Sequence, residues 1–293
     1  MPGLFNKEDF KDNCGFGLVA NINGVKSHKV ITNSIDSLVS MTHRGGVGSD
    51  GKTGDGCGLL FDIDHNYFKN IVLDENNIDL GDYFAVAQVF YESNILNILP
   101  SIEDILNKEG LKLIFCRNVP VNRDILGEIA LDCAPNIYQL FIKPDEKDFN
   151  KEKFDTSLLQ ARKFIEEIHM NDEVLYICSM SSKTIVYKGL MLPNAIKDFY
   201  LDLGNDNFKA STCVFHQRFS TNTSPRWHLA QPFRLLAHNG EINAIRGNRN
   251  WVKARSSKFL TPLIPKIQKF KQLVNETGSD SSSLDNMIEL LVK

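Results

Sequence analysis

Apolar runs along most of the chain predict a series of β-strands. They are rich in Val, Ile, Phe and Tyr and are bounded by Gly, Asn, Asp and Pro, as strands commonly are. In order they are GFGLVANI, GLLFDI, DYFAVAQVFYE, LKLIFC, NIYQLFIK, VLYICSM, TIVYKGL, STCVFHQRF and FRLLAHNG. Because only the polar SSK separates the sixth run from the seventh, we predict a hairpin there.

Other segments space their apolar residues three and four positions apart, which predicts amphipathic helices. They are SHKVITNSIDSLVSM, SIEDILNKE, DTSLLQARKFIEEIHM and the C-terminal SSSLDNMIELLVK. The third segment carries one apolar helical stripe, formed by Leu158, Ala161, Phe164, Ile165 and Ile168. Asp155 or Thr156 is the expected N-cap of that helix. Hairpins mixed with helices favour an α+β fold over a doubly wound parallel sheet.

Composition and charge then exclude several classes of protein. The chain has 293 residues, of which 42% are hydrophobic and 24% charged, which is typical of a globular protein with a substantial core. Its net charge of −3 gives no indication of a nucleic-acid or membrane-surface partner. No apolar run approaches the ~20 residues needed to span a bilayer. The N-terminal MPGLFNKEDFKDN is too polar for a secretory signal.

The cysteines and histidines do not form a metal-binding pattern. No C-x-x-C pair occurs among the six cysteines, and the seven histidines lack H-x-x-H spacing, so we predict no metal site. Three of the cysteines, Cys116, Cys178 and Cys213, lie in apolar strand-like runs and are expected to be free buried thiols. Free thiols indicate a reducing compartment, which is the cytoplasm or an organelle interior.

The stretch GVGSDGKT, residues 46–53, fits the phosphate-loop pattern G-x-x-x-x-G-K-[ST] at every fixed position. A phosphate loop requires a strand before it and a helix after it, so that backbone N–H groups point at the phosphates. Here a helical pattern precedes the stretch, and three alternating glycines followed by the strand-like LLFDI come after it. The predicted order is helix, loop, strand, which argues against nucleotide binding.

Cys14 stands at the head of the first predicted strand, in KDNCGFGLVANI. Two interpretations stay open on the residues alone. The thiol is inert at a glycine-flanked strand end, or removal of residues 1–13 gives Cys14 a free α-amine beside its own thiol. An α-amine has a pKa near ~8 and can act as a local base for a nucleophilic thiol.

Two further stretches carry groups suited to a carboxylate substrate and an acyl transfer. Arg218 directly follows an apolar strand, where its planar guanidinium can be aimed at a carboxylate. HNG, residues 238–240, is first a turn signal, and it is predicted to end the last strand. Such a turn can also present a side-chain amide and a backbone N–H together, as an oxyanion hole requires.

Four segments resemble one known family. They are CGFGLVANINGVKSH, MTHRGGVGSDGKTGDGCGLL, HQRFSTNTSPRWHLAQPFRLLAHNGEINAIRGNRNW and TGSDSSSLDNMIELL. Together they resemble the glutaminase region of the glutamate synthase large subunit, which is a class II glutamine amidotransferase. The resemblance runs from Cys14 to the last residue and is weaker between residues 65 and 210. It implies the four-layer αββα sandwich of the N-terminal-nucleophile (Ntn) hydrolases.

The resemblance also implies how the chain is organised. Residues 1–13 would be a propeptide, and residues 14–293 the class II glutamine amidotransferase domain. Cleavage after Asn13 would expose Cys14 as the N-terminal nucleophile that forms a γ-glutamyl thioester and releases ammonia. The glycine-rich segment at 45–58 would shape a tight path near the glutamine pocket.

The substrate-binding roles follow from the same resemblance. Arg218 matches the arginine that grips the glutamine α-carboxylate, and Asp280, in TGSD, matches the aspartate that holds the α-ammonium. Asn239 and the Gly240 N–H match the oxyanion hole. No metal is implied in this segment.

Family members are several times longer than this chain. Their other regions imply FMN and an iron–sulfur cluster for a full-length protein, with no cofactor in this segment. The implied partners are glutamine, the FMN-binding synthase region of the same chain and a small reductase subunit, with no nucleic acid and no membrane. The closing SLDNMIELLVK has an apolar helical face and no helix stop signal, so we expect the domain to be truncated and the isolated chain to expose an apolar patch.

Functions of other classes remain as alternatives. A stand-alone Ntn amidohydrolase acting on another amide, or another class II amidotransferase, would share the nucleophile. An Arg218 and Asp280 pair matched to an amino-acid zwitterion argues against a bulky acyl substrate. A phosphate-loop protein is disfavoured by the order of elements, and none of the matched residues indicates a non-catalytic remnant.

Overall fold

The computed structural model describes residues 15–145, 150–169, 175–218 and 224–292. Its strands, in chain order, are β1 Phe16–Ala20, β2 Cys57–Asp62, β3 Ala85–Tyr91, β4 Leu111–Asn118, β5 Asn136–Pro144, β6 Leu175–Ser181, β7 Thr184–Gly189 and β8 Thr212–Gln217. They form two four-stranded antiparallel sheets, a first sheet ordered β1-β8-β2-β7 and a second ordered β4-β5-β3-β6. The prediction of an α+β fold is confirmed.

Helices surround and connect these sheets. They are α1 His28–Ser40, α2 His65–Asn76, α3 Leu99–Lys108, α4 Glu128–Asp132, α5 Lys151–Ile168, α6 Ile196–Phe199, α7 Ile245–Arg255 and α8 Asp280–Leu291. One core joins α1 and the first sheet to one face of the second sheet, where Phe61 and Phe141 are fully buried. The opposite face of the second sheet packs against α3 and α5.

The hairpin predicted around SSK is wrong. β6 pairs with β3 in the second sheet, whereas β7 pairs with β2 in the first. The Ser181 hydroxyl accepts hydrogen bonds from the Lys183 and Thr184 N–H groups and so closes the turn between the sheets. A short polar turn fits equally well between paired strands and between stacked sheets, so the sequence pattern did not distinguish them.

The last predicted strand, FRLLAHNG, is a loop. Its backbone groups are satisfied by side chains instead of by a neighbouring strand. The Gln231 side chain binds both the N–H and the C=O of His238, and the Leu235 N–H donates to the Asp285 carboxylate. These bonds take the place of the strand-to-strand hydrogen bonds that the apolar run predicted.

Helix α5 begins earlier than expected. Asn150 is its N-cap and accepts hydrogen bonds from the N–H groups of Glu152 and Lys153. Asp155 lies within the helix and accepts a hydrogen bond from the Ser182 hydroxyl, so neither Asp155 nor Thr156 is the cap. The predicted stripe is buried at Leu158, Ala161 and Ile165 and exposed at its end, Ile168.

The phosphate-loop resemblance at residues 46–53 is excluded by the local structure. Helix α1 precedes the loop and β2 follows it, as predicted. The Asp50 carboxylate accepts hydrogen bonds from the N–H groups of Lys52 and Thr53 and from the Thr53 hydroxyl. These bonds, led by the Thr53 hydroxyl, lower the pKa of Asp50. A carboxylate therefore occupies the donors that a phosphate would need.

Helix α8 buries its polar side. Ser281, Asp285 and Glu289 are buried, whereas the predicted apolar face is only half-buried and ends in Leu291, which is 73% exposed. The buried side finds charged partners instead of apolar ones, as described below. The amphipathic pattern therefore located this helix correctly, and its apolar face is left partly exposed.

The described thiols agree with the prediction of free cysteines. Cys57, Cys178 and Cys213 are buried and unpaired, and burial raises the pKa of Cys178 and of Cys213 to about 12. Cys116 is half-buried and Cys133 is exposed. Separately, none of the helices in the described ranges is both long enough and apolar enough to cross a bilayer.

Candidate active site

The start of the first strand lies against the HNG segment. Cys14 itself lies outside the described residues, but Gly15 is buried and accepts a 2.6 Å hydrogen bond from the Gln217 N–H at the end of β8. A Cβ atom built on Gly15 would lie 2.7 Å from the Gln217 carbonyl oxygen and 3.0 Å from Asn239 Oδ1. Only glycine fits there, and the residue after Cys14 is thereby placed beside the Asn239 amide.

Arg218 continues directly from β8 in a strained backbone conformation. Its φ is +97°, which an L-residue with a side chain rarely adopts. The conformation is held by a 2.8 Å hydrogen bond from the Arg218 N–H to the Gly56 carbonyl. The side chain is half-buried, and no carboxylate in the described ranges forms an ion pair with it. Strain of this kind concentrates at functional sites.

Asn239 and Gly240 lie on a loop that is braced on one side. The two hydrogen bonds from the Gln231 side chain to His238, each 2.9 Å, fix the backbone immediately before them. A Cβ on Gly240 would come within 2.7 Å of His238 Nε2, so a side chain there would displace the His238 ring. Asn239 is half-buried and Gly240 exposed, which leaves both within reach of a ligand.

Asp280 is tied to the same loop. It is the first residue of α8, behind the N-cap Ser279, and it is buried. Its carboxylate accepts a 2.7 Å hydrogen bond from the Ile242 N–H. The neighbouring Ser281 hydroxyl donates to Asp280 and also bonds His238 Nδ1 at 2.9 Å. Through these bonds the structure joins Asp280 to the segment that carries Asn239.

Comparison with known proteins agrees with this arrangement. The model of the family described as "Glutamine amidotransferases class-II" matches residues 14–293. The chain belongs to the class II glutamine amidotransferases. The resemblance stated from the sequence is thereby confirmed, and the chain is an enzyme of the amidotransferase type.

Curated relatives place this amidotransferase near the glutamate synthases. It is 41% identical to "Glutamate synthase [NADH]" of Saccharomyces cerevisiae, over 99% of this chain and 14% of the relative. It is 38% identical to "Glutamate synthase [NADPH] large chain" of Azospirillum brasilense, over 99% of this chain and 20% of the relative. It is 37% identical to the ferredoxin-dependent glutamate synthase 1 of Arabidopsis thaliana, over 100% of this chain and 19% of the relative. The chain thus spans a fifth or less of the length of these relatives.

Sequence reasoning missed a pair of buried polar residues in the amidotransferase site. His216 and Gln217 precede Arg218 and are fully buried, yet their side-chain nitrogens, and the Gln217 side-chain oxygen, have no hydrogen-bond partner in the described part of the chain. Burial lowers the pKa of His216 to about 4. A His-Gln pair at the end of an apolar strand was the signal that could have identified them.

Arg249, on α7, is a second residue that the sequence did not single out. It donates hydrogen bonds to the Gly278 and Ser279 carbonyls and to the Ser283 hydroxyl. These acceptors surround Asp280 at the start of α8. Arg249 therefore fixes the helix terminus on which the predicted ammonium-binding carboxylate sits.

A buried cluster of charged residues lies between α5, α8 and the loop that precedes Asn239 in the candidate site. Arg162 on α5 pairs with Glu166 and Glu289, and Arg234 pairs with Glu166 at 2.6 Å. Asp285 holds the Leu235 N–H at 2.8 Å, and Arg234 lies near its carboxylate. The cluster connects α5 and α8 to the loop that leads to Asn239, so the polar side of α8 serves as its inward face.

Three cavities in the described part of the chain are not lined by Arg218, Asn239, Gly240 or Asp280. One of about 280 Å³ lies between α5, the loop around Arg234 and α8, and it is lined by Lys163, Tyr176 and Asn286 among others. The predicted glutamine site is instead open at the surface, where Gly240 is exposed and Arg218 half-buried. Over the described ranges, no three His, Cys, Asp or Glu side chains converge as metal ligands would.

Proposed function

We propose that this chain hydrolyses glutamine to glutamate and ammonia through a thioester on Cys14. The observation that carries the proposal is the contact between the Asn239 amide and Gly15, the residue that follows Cys14, in a member of the class II glutamine amidotransferases. It supports a nucleophile and an oxyanion donor at one place. The proposal includes cleavage after Asn13, with residues 1–13 as propeptide and 14–293 as the catalytic domain.

The proposed reaction uses the freed α-amine of Cys14 as base. The amine accepts the thiol proton while the sulfur attacks the glutamine carboxamide carbon. The resulting oxyanion is stabilised by the Asn239 side-chain amide and the Gly240 N–H, where one such donor typically contributes ~3 kcal/mol to lowering the barrier. The α-ammonium then protonates the leaving nitrogen, so that ammonia departs and the thioester remains. Water, deprotonated by the same amine, hydrolyses the thioester to glutamate and restores the thiol.

The substrate would be held by the two charged groups on its Cα. The guanidinium of Arg218 provides a forked contact to the α-carboxylate. The buried carboxylate of Asp280, fixed by the Ile242 N–H, provides the counter-charge for the α-ammonium. A cation and an anion placed side by side suit the carboxylate and ammonium on the Cα of a free amino acid, which favours glutamine over the substrate of a stand-alone amidohydrolase.

In the wider protein we propose that this segment supplies ammonia for glutamate synthesis from glutamine and 2-oxoglutarate. The support is the similarity to much longer glutamate synthases. FMN, an iron–sulfur cluster and contact with a reductase subunit would belong to other regions of such a longer protein. We also propose the four-layer αββα arrangement of the Ntn hydrolases and a cytoplasmic or organellar location.

The test is ammonia release by protein that begins at Cys14, with three matched substrates. Glutamine carries both charges, N-acetylglutamine lacks the ammonium and glutaminamide lacks the carboxylate. We expect turnover of glutamine, with the loss of either charge raising KM by 100-fold or more. Equal turnover of all three amides would instead favour an amidohydrolase that does not recognise an amino acid. Absence of turnover in correctly matured, folded protein would contradict the proposed activity.

A further inference from the structure

One row of cross-strand neighbours runs under the HNG loop. In the register of the first sheet, Phe16 faces His216, His216 faces Gly58, and Gly58 faces Lys188. Their side chains share one face of the sheet, because residues paired directly across antiparallel strands point the same way. The row ends at Phe16, two residues after the predicted nucleophile Cys14.

The loop from 228 to 239 lies across this row. Lys188 Nζ donates a 2.8 Å hydrogen bond to the His228 carbonyl. A Cβ on Gly58 would lie 2.7 Å from the Gln231 carbonyl oxygen, so the loop rests directly on that glycine. Further along, the imidazole of His216 lies close to the backbone of Arg218, to the backbone of His238 and to the Asn239 side chain. The His216 ring thus lies next to the Asn239 side chain.

The imidazole of His216 is buried without a fixed partner. The residue is 0% exposed, and neither ring nitrogen has a hydrogen bond of normal length and angle from any described group. A buried polar group left unpaired typically costs ~1–3 kcal/mol, so its presence calls for an explanation in function. Because burial lowers its pKa to about 4, the ring is neutral near pH 7, with one N–H donor and one acceptor nitrogen.

The Asn239 amide needs a donor on one side. To stabilise an oxyanion it must present Nδ2, which leaves Oδ1 to be fixed by another group. Contact with Gly15 does not select between the two ends, because the Cβ position there is 3.0 Å from Oδ1 and 3.2 Å from Nδ2. The neutral His216 ring offers the missing N–H.

We propose that His216 is a positioning residue that donates its ring N–H to Asn239 Oδ1 and so turns Nδ2 toward the substrate. The inference rests on the proposed glutaminase function, and the hydrogen bond shortens when glutamine occupies the site, as catalytic hydrogen bonds often do. His216 contacts no reacting atom in this scheme. Its effect on the rate passes entirely through Asn239.

The first test is a double-mutant cycle with steady-state kinetics. His216→Leu removes the donor, whereas His216→Asn and His216→Gln keep an amide N–H near the positions of the two ring nitrogens. We expect His216→Leu to lower kcat about 30-fold with KM for glutamine within about 3-fold, since one oxyanion donor is commonly worth 10²-fold or more. One of the two amide variants should recover most of that loss. Combining His216→Leu with Asn239→Ala should reduce kcat no further than Asn239→Ala alone.

A purely structural role would give a different result. In that case His216→Leu would raise KM through Arg218, and its loss of kcat would add to the loss caused by Asn239→Ala. An amide side chain at position 216 would not restore kcat. His65→Leu is the matched control, because His65 is also partly buried with a lowered pKa but lies on α2. It should match His216→Leu in thermal stability while retaining kcat. Full kcat in His216→Leu, or additive losses in the double variant, would overturn the inference.

A second measurement does not depend on activity. In protein carrying ¹⁵N-histidine, the His216 ring, assigned by its loss in His216→Leu, should show one protonated and one unprotonated nitrogen throughout pH 5.5–8. Asn239→Ala should shift the N–H signal or accelerate its exchange with solvent. An unchanged N–H signal in Asn239→Ala would refute the contact even if wild-type protein hydrolyses glutamine. A changed signal in protein without glutaminase activity would support the contact and contradict only the proposed reaction.

Discussion

At the scale of single residues, Arg218 and Asn77 show how differently a positive φ can be used. Asn77 has a φ of 56° at the end of α2, where a left-handed cap is common. Arg218 has a φ of 97° and no such motif, and it is held by its own bond to Gly56 and by the Gln217–Gly15 bond one residue earlier. The strain, of order 1–3 kcal/mol, sets the direction in which its side chain leaves the strand.

Two substitutions separate the backbone of Arg218 from its guanidinium. Arg218→Lys should raise KM for glutamine strongly with a smaller effect on kcat, because an ammonium cannot form the forked contact to a carboxylate. Arg218→Gly should lose the same binding but relieve the φ strain, which leaves the melting temperature equal or higher. Steady-state kinetics and calorimetry of the two variants are the measurements. Unchanged KM in both variants would remove Arg218 from the substrate site.

At the scale of elements, α7 and α8 form a pair through one side chain. Arg249 makes three hydrogen bonds to the start of α8, whereas Arg246 on the same helix is exposed. Arg249→Ala should therefore lower stability by about 2 kcal/mol and raise KM for glutamine through displacement of Asp280, since it leaves buried acceptors unpaired. Arg246→Ala should change stability by less than about 0.5 kcal/mol. Urea unfolding and kinetics compare the two, and equal effects would show that Arg249 does not hold the helix terminus.

Elements also show how much of the fold the sequence can predict. The strand patterns located β1 to β8, because each strand has an apolar run set off by turn residues. The pattern failed for FRLLAHNG, where Gln231 and Asp285 satisfy the backbone from distant parts of the chain. It also failed for the hairpin around SSK, because the choice of sheet depends on the partners β3 and β2.

The site was predictable only as separate pieces. Arg218 and HNG were recognisable as strand-end chemistry, but Asp280 entered through resemblance alone, since one aspartate before a helix is normally a capping residue. The bonds from Ser281 and Ile242 that tie Asp280 to the loop join positions far apart in sequence. His216 and Arg249 were missed because their roles depend on contacts that no local pattern records.

At the scale of the whole molecule, the buried His216 and the half-buried His228 make stability depend on pH. Burial lowers the pKa of His216 and of His228 to about 4, from an ordinary value of 6.5. As pH falls below 6.5, the two histidines of the unfolded chain bind protons before those of the folded chain do. The folded state therefore keeps its full stability from these residues above pH 6.5 and loses it progressively down to pH 4. Each shift corresponds to up to about 3 kcal/mol. In urea unfolding from pH 7 to pH 4, the wild type should lose more free energy of unfolding than His228→Leu does, and equal losses would contradict a neutral His228 in the folded protein.

The central claim is that Cys14, as the first residue of the mature protein, carries the glutamyl group during turnover. It is tested most directly by intact-mass and peptide mass spectrometry of active protein quenched in acid during steady-state hydrolysis of glutamine. We expect a chain that begins at Cys14 and a glutamyl adduct on that residue, absent from Cys14→Ser. Full activity in protein that retains Met1, or an adduct on another thiol such as the exposed Cys133, would contradict it.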